Sequence, residues 1–349
     1  MRPSSEGPRM ITASVYPRQL EPRTWQQELA EAITSPEELA AALGFNPGAF
    51  AGAPEAGRQF RLRVPRSFVA RMRPGDLNDP LLRQILPVSA ELADEAEYVD
   101  DPVGERAALR APALLQKYHG RALLITTPTC AVHCRYCFRR EFPYARQDGE
   151  SRRWSEALAE IAADASLEEI ILSGGDPLSL SNARLENLTR ALAAITHVRR
   201  IRVHTRQPVV LPSRVDEGLL QWLRGSTLPV VIVLHINHPN ELGADLVAAC
   251  GKLRATGVTL LNQSVLLAGI NDDVEVLSGL SRRLFDAGVL PYYLHALDRV
   301  RGAAHFAVPD EHAQALAGRL AAQLPGYLVP RLVREVAGEP AKVALGATF

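Results

Sequence analysis

From residue 117 onward the chain repeats one pattern, a short apolar run followed by a longer stretch whose apolar residues recur every three or four positions. That alternation is the signature of consecutive βα units around a parallel sheet. Six runs predict strands, at 122–126, 169–172, 201–204, 230–235, 259–263 and 292–295. The segments between them read as helices. Over 241–254, Leu242, Leu246, Cys250 and Leu253 share one face, and a cysteine on such a stripe reads as a buried structural thiol.

The first part of the chain is different. Residues 1–20 are rich in Pro, Ser and Arg without periodicity and predict a mobile start. Thr24 before WQQELAEAI, and Ser35-Pro36-Glu37-Glu38 before LAAAL, mark two helix N-termini with a capping hydroxyl, a first-turn proline and acids facing the helix dipole. Over 61–116 short apolar patches alternate with turn signals such as Arg73-Pro74-Gly75-Asp76, which predicts an irregular, mostly helical segment. The expected division is a helical segment 1–115, a βα unit 116–330 and a tail 331–349.

Composition narrows the function classes. A chain of 349 residues, 47% hydrophobic and 22% charged, can bury a sizeable core. The 39 basic and 39 acidic side chains give a net charge of 0, which removes the electrostatic footprint of a nucleic-acid or anionic-membrane binder. The opening residues lack an apolar stretch with a small-residue cleavage site, and the longest apolar run, 229–234, is too short to span a bilayer. A cytoplasmic protein with no membrane or nucleic-acid partner is expected. Of the four cysteines, too few for a disulfide framework, Cys130, Cys134 and Cys137 fall within eight positions, as metal ligands do in a reducing compartment.

In βα barrels the working residues emerge at the C-terminal ends of the strands. Here the predicted strands run into Cys130, into Ser173-Gly174-Gly175-Asp176, into His204 and Arg206, into His235, Asn237 and His238, into Asn262, Gln263 and Ser264, and into His295 and Asp298. One active site facing one rim is the economical explanation. The C-x3-C-x2-C triplet can hold three irons of a 4Fe–4S cluster and leave the fourth open to an exogenous ligand. Zinc is the competing occupant. It would want a fourth ligand, and His133, inside the triplet, could hardly reach the same ion.

The triplet, with Tyr136 before its last cysteine, resembles the cluster motif of radical S-adenosylmethionine enzymes, and Ser173-Gly174-Gly175-Asp176-Pro177 is similar to their glycine-rich motif at the S-adenosyl-L-methionine amino group. The resemblance narrows to the lysine 2,3-aminomutases through Arg139 and Arg140 after the triplet and through LHINHPNE, NQSVLL and PYYLHAL, and it covers about residues 60–342. LLQKYHGRALL, CRYCFRREFPY, FDAGVLPYYLH and GYLVPRLVREVAGEP are similar to the short bacterial branch that makes β-lysine for the modification of elongation factor P.

The resemblance implies an α/β fold, a partial (β/α)6 TIM-like barrel with an N-terminal helical segment and a C-terminal tail that binds pyridoxal 5'-phosphate. It implies an isomerase that moves the α-amino group of L-lysine to the β-carbon, using a 4Fe–4S cluster, S-adenosyl-L-methionine, pyridoxal phosphate and an external electron donor such as flavodoxin or ferredoxin. It also implies a functional link to elongation factor P and its lysyl ligase. By residue, Lys342 in VREVAGEPAK corresponds to the lysine that carries pyridoxal phosphate, although Val343-Ala344-Leu345 replaces the Thr-Pro common after it. Lys117 and Arg121 correspond to two phosphate-binding arginines, with Tyr118 beside them. Arg139 corresponds to the partner of the substrate carboxylate, and Asp298 and Glu335 to two acids that bind the distal ammonium, Glu335 standing for an aspartate. His235 and Gln263 correspond to adenosylmethionine-site positions. The alternatives are an aminomutase for another amino acid, a radical enzyme without pyridoxal phosphate, and a zinc-binding or RNA-associated module without catalysis.

Overall fold

The computed structural model describes residues 23–46, 48–144 and 150–347. The predicted mobile start over 1–20 lies outside them. Four short helices open the chain: α1 (Trp25–Ala30), α2 (Pro36–Ala42), α3 (Ala53–Gln59) and α4 (Arg66–Val69). Thr24 caps α1 through a reciprocal box with Gln27, and at the start of α2 Ser35 Oγ accepts from the Glu38 N–H at 3.1 Å. Both caps stand where the sequence places them.

The stretch after α4 departs from the expectation of a mostly helical segment. It contains β1 (Leu109–Ala111) and β2 (Leu114–Tyr118), which join β3 (Arg121–Thr127) in an antiparallel meander. The β1–β2 turn runs through Pro112 and Ala113, with Ala113 at a φ of 65°. No Asn-Gly or Asp-Gly announces it, so the usual grammar of hairpins is silent there.

From β3 the chain winds as βα units. They are α5 (Glu150–Ala163), β4 (Glu169–Gly174), α6 (Asn182–Ala193), β5 (Arg200–Thr205), α7 (Gln207–Val210), α8 (Glu217–Gly225) and β6 (Val230–His235). There follow α9 (Ala244–Arg254), β7 (Thr259–Val265), α10 (Val274–Asp286), β8 (Leu290–His295), α11 (Asp310–Gln323), β9 (Arg331–Arg334) and β10 (Val343–Ala344). The ten strands of the described residues form one sheet in sequence order, with β3 to β9 parallel and β10 antiparallel to β9. Each of the six predicted runs falls within one of β3 to β8. Strands β9 and β10 carry the sheet into the stretch read as a tail, because Leu332-Val333 between two arginines is too short an apolar run to register as a strand.

Alternation along the strands separates two faces. Ile201 and Val203 of β5 pack with Leu185, Leu219 and Leu246 in the main core, so this face meets the helices. Between them Arg202 and His204 stay partly exposed, as do Leu261 and Gln263 of β7. These residues line an open interior, the architecture of a partial barrel. A second core joins the N-terminal segment to the loop after β3 and to α7: Phe68, Leu82 and Ile85 pack with Ala131, Val132 and Val210. Among the described residues no helix is long and apolar enough to cross a membrane.

Candidate active site

Strand β3 delivers the chain into the cysteine loop, and the N-terminal segment clamps that loop from outside. The Arg135 N–H donates to Gln84 O at 2.9 Å, and its guanidinium, fully buried, meets both oxygens of Glu91 at 2.8 and 2.5 Å. Arg140 adds a third contact to Glu91 at 2.9 Å. His133 Nδ1 lies 2.8 Å from Arg61 O and its ring stacks on Phe60, so it is engaged away from the thiols. Burial and the mutual repulsion of thiolates push Cys137 up to about 11 and Cys130 well above its ordinary range. Thiols in such a place ionise when a metal charge compensates them. Among the described residues no three His, Cys, Asp or Glu side chains close on a single ion. Three free thiols carried by one loop can each ligate one iron of a cubane, so the donor set fits an iron–sulfur cluster.

The Gly174-Gly175 pair lies against the backbone of the cysteine loop. A Cβ on Gly175 would stand 2.5 Å from Thr129 O and 2.7 Å from the Pro128 carbonyl carbon, and one on Gly174, whose φ is 113°, would meet Thr127 O at 2.9 Å. The glycines let the end of β4 lie directly against the backbone leading to Cys130. Asp176 is likewise committed: its carboxylate accepts from Thr205 Oγ1 and Arg206 N at 2.7 Å, Gln207 N at 2.9 Å and Leu178 N at 3.0 Å. It fixes the end of β5 and the start of α7.

Arg206, so fixed, reaches back to the cysteines. Its Nη1 donates to Cys134 Sγ at 2.8 Å and to the Tyr136 hydroxyl, and its Nη2 donates to Gln84 Oε1 at 2.7 Å and Glu241 Oε2 at 3.0 Å. Glu241 is wholly buried and also accepts from the Asn237 and His238 N–H groups at 2.9 and 3.0 Å.

Farther along the rim the interior carries His204, His235, Gln263, Tyr293 and His295. The Gln263 amide meets His235 Nε2 at 2.8 Å, and the ring of His204 lies edge-on to His235 at 5.9 Å. Burial drives His235 and His295 down to about 3 and His204 well below its ordinary value, so all three are neutral imidazoles at pH 7. Glu335, just beyond β9, accepts from Lys117 Nζ of β2 at 2.6 Å and from Lys342 Nζ. The chain has only three lysines, and two of them meet at this carboxylate. The cations hold Glu335 at about 2 against burial, whereas burial and the Glu335 charge raise Asp298 to about 7. Arg121 lies over the Tyr118 ring at 4.7 Å, and the buried Tyr118 hydroxyl has no partner. The residues after Lys342 form β10, with Val343 opposite Arg334 and the Leu345 N–H on Leu332 O at 3.1 Å. The altered tail therefore has its own anchorage.

Arg139, the expected partner of a substrate carboxylate, is paired within the chain. Its Nε and Nη2 grip the buried Glu105 at 2.8 and 2.6 Å, and Nη1 donates to Ser173 Oγ at 2.9 Å and Gly174 O at 3.2 Å. Glu105 takes two of its five N–H groups and Ser173 and Gly174 two more, leaving one Nη2 N–H. Glu91, Glu105, Gln84 and Glu241 carry the site and were not singled out from sequence. Glu241 stood inside a quoted run, LHINHPNE, but the other three lie in irregular segments whose pattern carries no sign of them.

Comparison with known proteins agrees with this geometry. The Radical SAM superfamily matches residues 124–277, from β3 into α10. L-lysine 2,3-aminomutase of Escherichia coli (strain K12) is 48% identical over 92% of this chain and 94% of its own length. The enzyme of that name from Haemophilus influenzae is 44% identical over 92% and 95%, and that from Clostridium subterminale 33% over 90% and 76%. With more than nine-tenths of the Escherichia coli and Haemophilus influenzae relatives aligned, and with the cysteine loop, the glycine-rich strand end and the lysine-bearing tail brought to one rim, the chain belongs to the lysine 2,3-aminomutase family of radical S-adenosylmethionine enzymes.

Proposed function

We propose that this enzyme is an isomerase that converts L-lysine to β-lysine by a 1,2-amino shift. The observation that carries the reading is the cluster at Glu335: one carboxylate holds two primary ammonium groups of the chain, with Asp298 beside it. A site so arranged is built for primary amines. If Lys342 takes up a carbonyl and Lys117 with Arg121 a phosphate, Glu335 loses both partners and is left to pair with the distal ammonium of a diamino acid.

In this reading Cys130, Cys134 and Cys137 hold a 4Fe–4S cluster. Ser173, Gly174, Gly175, Asp176, His235 and Gln263 form the wall for S-adenosyl-L-methionine, and Lys342, Lys117, Tyr118 and Arg121 hold pyridoxal phosphate. When bound, these groups supply a one-electron reductive cleavage and an electron-delocalising ring. The chain's residues bind, orient and exclude water. The neutral histidines place no proton donor of imidazolium strength near the reacting centre. Arg139 meets the substrate carboxylate through its remaining Nη2 N–H or by exchanging Glu105 for it. The division at 1–115, 116–330 and 331–349 is retained as functional rather than structural, since the sheet crosses both boundaries. The enzyme is proposed to act in the cytoplasm, with a flavodoxin or ferredoxin as donor and elongation factor P, through its lysyl ligase, as the destination of the product.

The test is anaerobic reconstitution with iron, sulfide, pyridoxal phosphate, S-adenosylmethionine and reductant, followed by product analysis over a panel of amino acids. β-Lysine from L-lysine is expected, with Lys342→Ala losing the borohydride-trapped cofactor while keeping its iron. Turnover of another amino acid alone, or trapping on Lys117 or Lys252, overturns the assignment.

A further inference from the structure

The buried guanidinium of Arg206 is an unusual neighbour for a metal-binding thiol. Arg206 is 5% exposed, and its partners Gln84 and Glu241 are wholly buried. A buried arginine whose only task was to be satisfied would use its Nε as well as its Nη groups. Here Nε has no partner, while Nη1 is given to Cys134 Sγ at 2.8 Å and to the Tyr136 hydroxyl. The framework that aims it is itself over-determined. Asp176 holds the Arg206 and Gln207 N–H groups at 2.7 and 2.9 Å, and Glu241 is held by two N–H groups and by Gln84 Nε2 at 3.2 Å. Asn237 Nδ2 bonds both Gln84 Oε1 at 3.0 Å and the Tyr136 hydroxyl at 2.7 Å, so the two groups that flank Nη1 and Nη2 are tied together.

We propose that Arg206 is a positioning residue for cluster reduction, its guanidinium donating to the Cys134 thiolate and thereby keeping the cluster reducible by an external low-potential donor. The inference rests on the reading of the three cysteines as cluster ligands. The step it assists is one electron passing from the donor, which is oxidised, to the cluster, which is reduced; no bond to Arg206 forms or breaks. A hydrogen bond to a cluster sulfur withdraws electron density and stabilises the more negative, reduced state, which raises the potential. Glu241 offsets part of the cationic charge in the buried site and fixes its direction. The sequence reading placed Arg206 on the rim without a role. The glycine-aspartate motif therefore acts on the cluster twice, by seating the cysteine loop and by aiming this arginine.

The experiment is a potentiometric titration of the reconstituted enzyme, read by the electron paramagnetic resonance of the reduced cluster and normalised to iron and sulfide content. At the potential that half-reduces the wild type, R206Q is expected to show a reduced-to-oxidised ratio about tenfold lower, about 59 mV for one electron. R206K, which keeps the charge and loses the fork, should fall between. V209A, which thins the main core behind α7, a cluster that includes none of the three cysteines of the loop, should titrate as the wild type does. A fully loaded R206Q with the wild-type ratio overturns the proposal, as does an equal shift in V209A. Should R206Q lose its cluster, wild-type enzyme carrying 15N-arginine decides: a nitrogen coupling to the reduced cluster that disappears in R206K supports the proposal, and no such coupling overturns it. A wild-type chain that binds no iron and sulfide would instead remove the cysteine reading, and this proposal with it.

Discussion

Asp298 sits where a carboxylate pays most for its charge. Burial, and then the Glu335 charge, raise it to about 7 against the pull of Lys342 and Lys117. The sign is that of a raised acid: its protonation stabilises the folded protein at low pH, and this contribution is lost as pH rises through about 7. A bound ammonium reverses the preference by selecting the ionised form. At pH 6 Asp298 is mostly protonated, and drawing Lys342 and Lys117 off to bound groups moves it further in that direction, so lysine should bind the loaded enzyme at least about tenfold more weakly at pH 6 than at pH 8 and release a proton on binding. Calorimetric titration at the two pH values checks this, and in D298N the pH dependence should vanish along with much of the affinity. Equal affinity at both pH values in the wild type would separate Asp298 from the substrate ammonium.

At the scale of elements, the loop carrying the cysteines depends on one glutamate. Glu91 is 2% exposed and is the counter-charge of two buried arginines on that loop, Arg135 and Arg140. Its removal leaves Arg135 without its carboxylate and Arg140 with only the more distant Glu141 at 3.7 Å, so E91A is expected to lose about 3–5 kcal/mol by urea unfolding and to retain less iron than the wild type. An E91A protein with wild-type stability would show that the clamp contributes little. What sequence made legible divides along the same line. Strands β3 to β8 could be read because each pairs an apolar run with a period-two exchange of faces, and the cysteine triplet because its members are neighbours. The β1–β2 hairpin could not, since Pro112-Ala113 is not a turn signature, and β9 was hidden by its shortness. The pairs Arg139–Glu105 and Arg206–Glu241 join residues 34 and 35 positions apart, and no local pattern announces such a partnership. Glu335 and Lys342 were visible only through resemblance to a family, because a lysine near a chain end is ordinarily a solvated charge.

For the molecule as a whole, the three neutral histidines of the interior set its response to acid. Burial comes first in each case. Arg202 adds to it at His204, Arg206 at His235 and Lys342 at His295. A histidine whose folded value lies near 3 stabilises the fold at pH values above its ordinary 6.5 and loses that contribution as pH falls toward 3, since the unfolded chain takes up the proton first. In H235N this linkage is absent. Its stability should therefore decline less steeply than that of the wild type between pH 6 and pH 5, by up to about 1.4 kcal/mol per pH unit, measured from urea midpoints. Parallel decline in the two proteins would show that His235 is protonated in the folded state.

The strand order has one more consequence. Among the described residues the sheet runs from β1 to β10 without a ladder between its ends, a bracelet whose clasp at the rim is made of side chains: Lys117 from one end, Glu335 and Lys342 from the other. A ladder of backbone bonds gives way rung by rung and is nearly indifferent to ionic strength. A clasp of three charges releases all at once, and to anything that competes for its lysines. The ring is thus most easily undone at the place where a carbonyl and a phosphate would enter it, and a guest that takes both lysines inherits the work of keeping the ring shut.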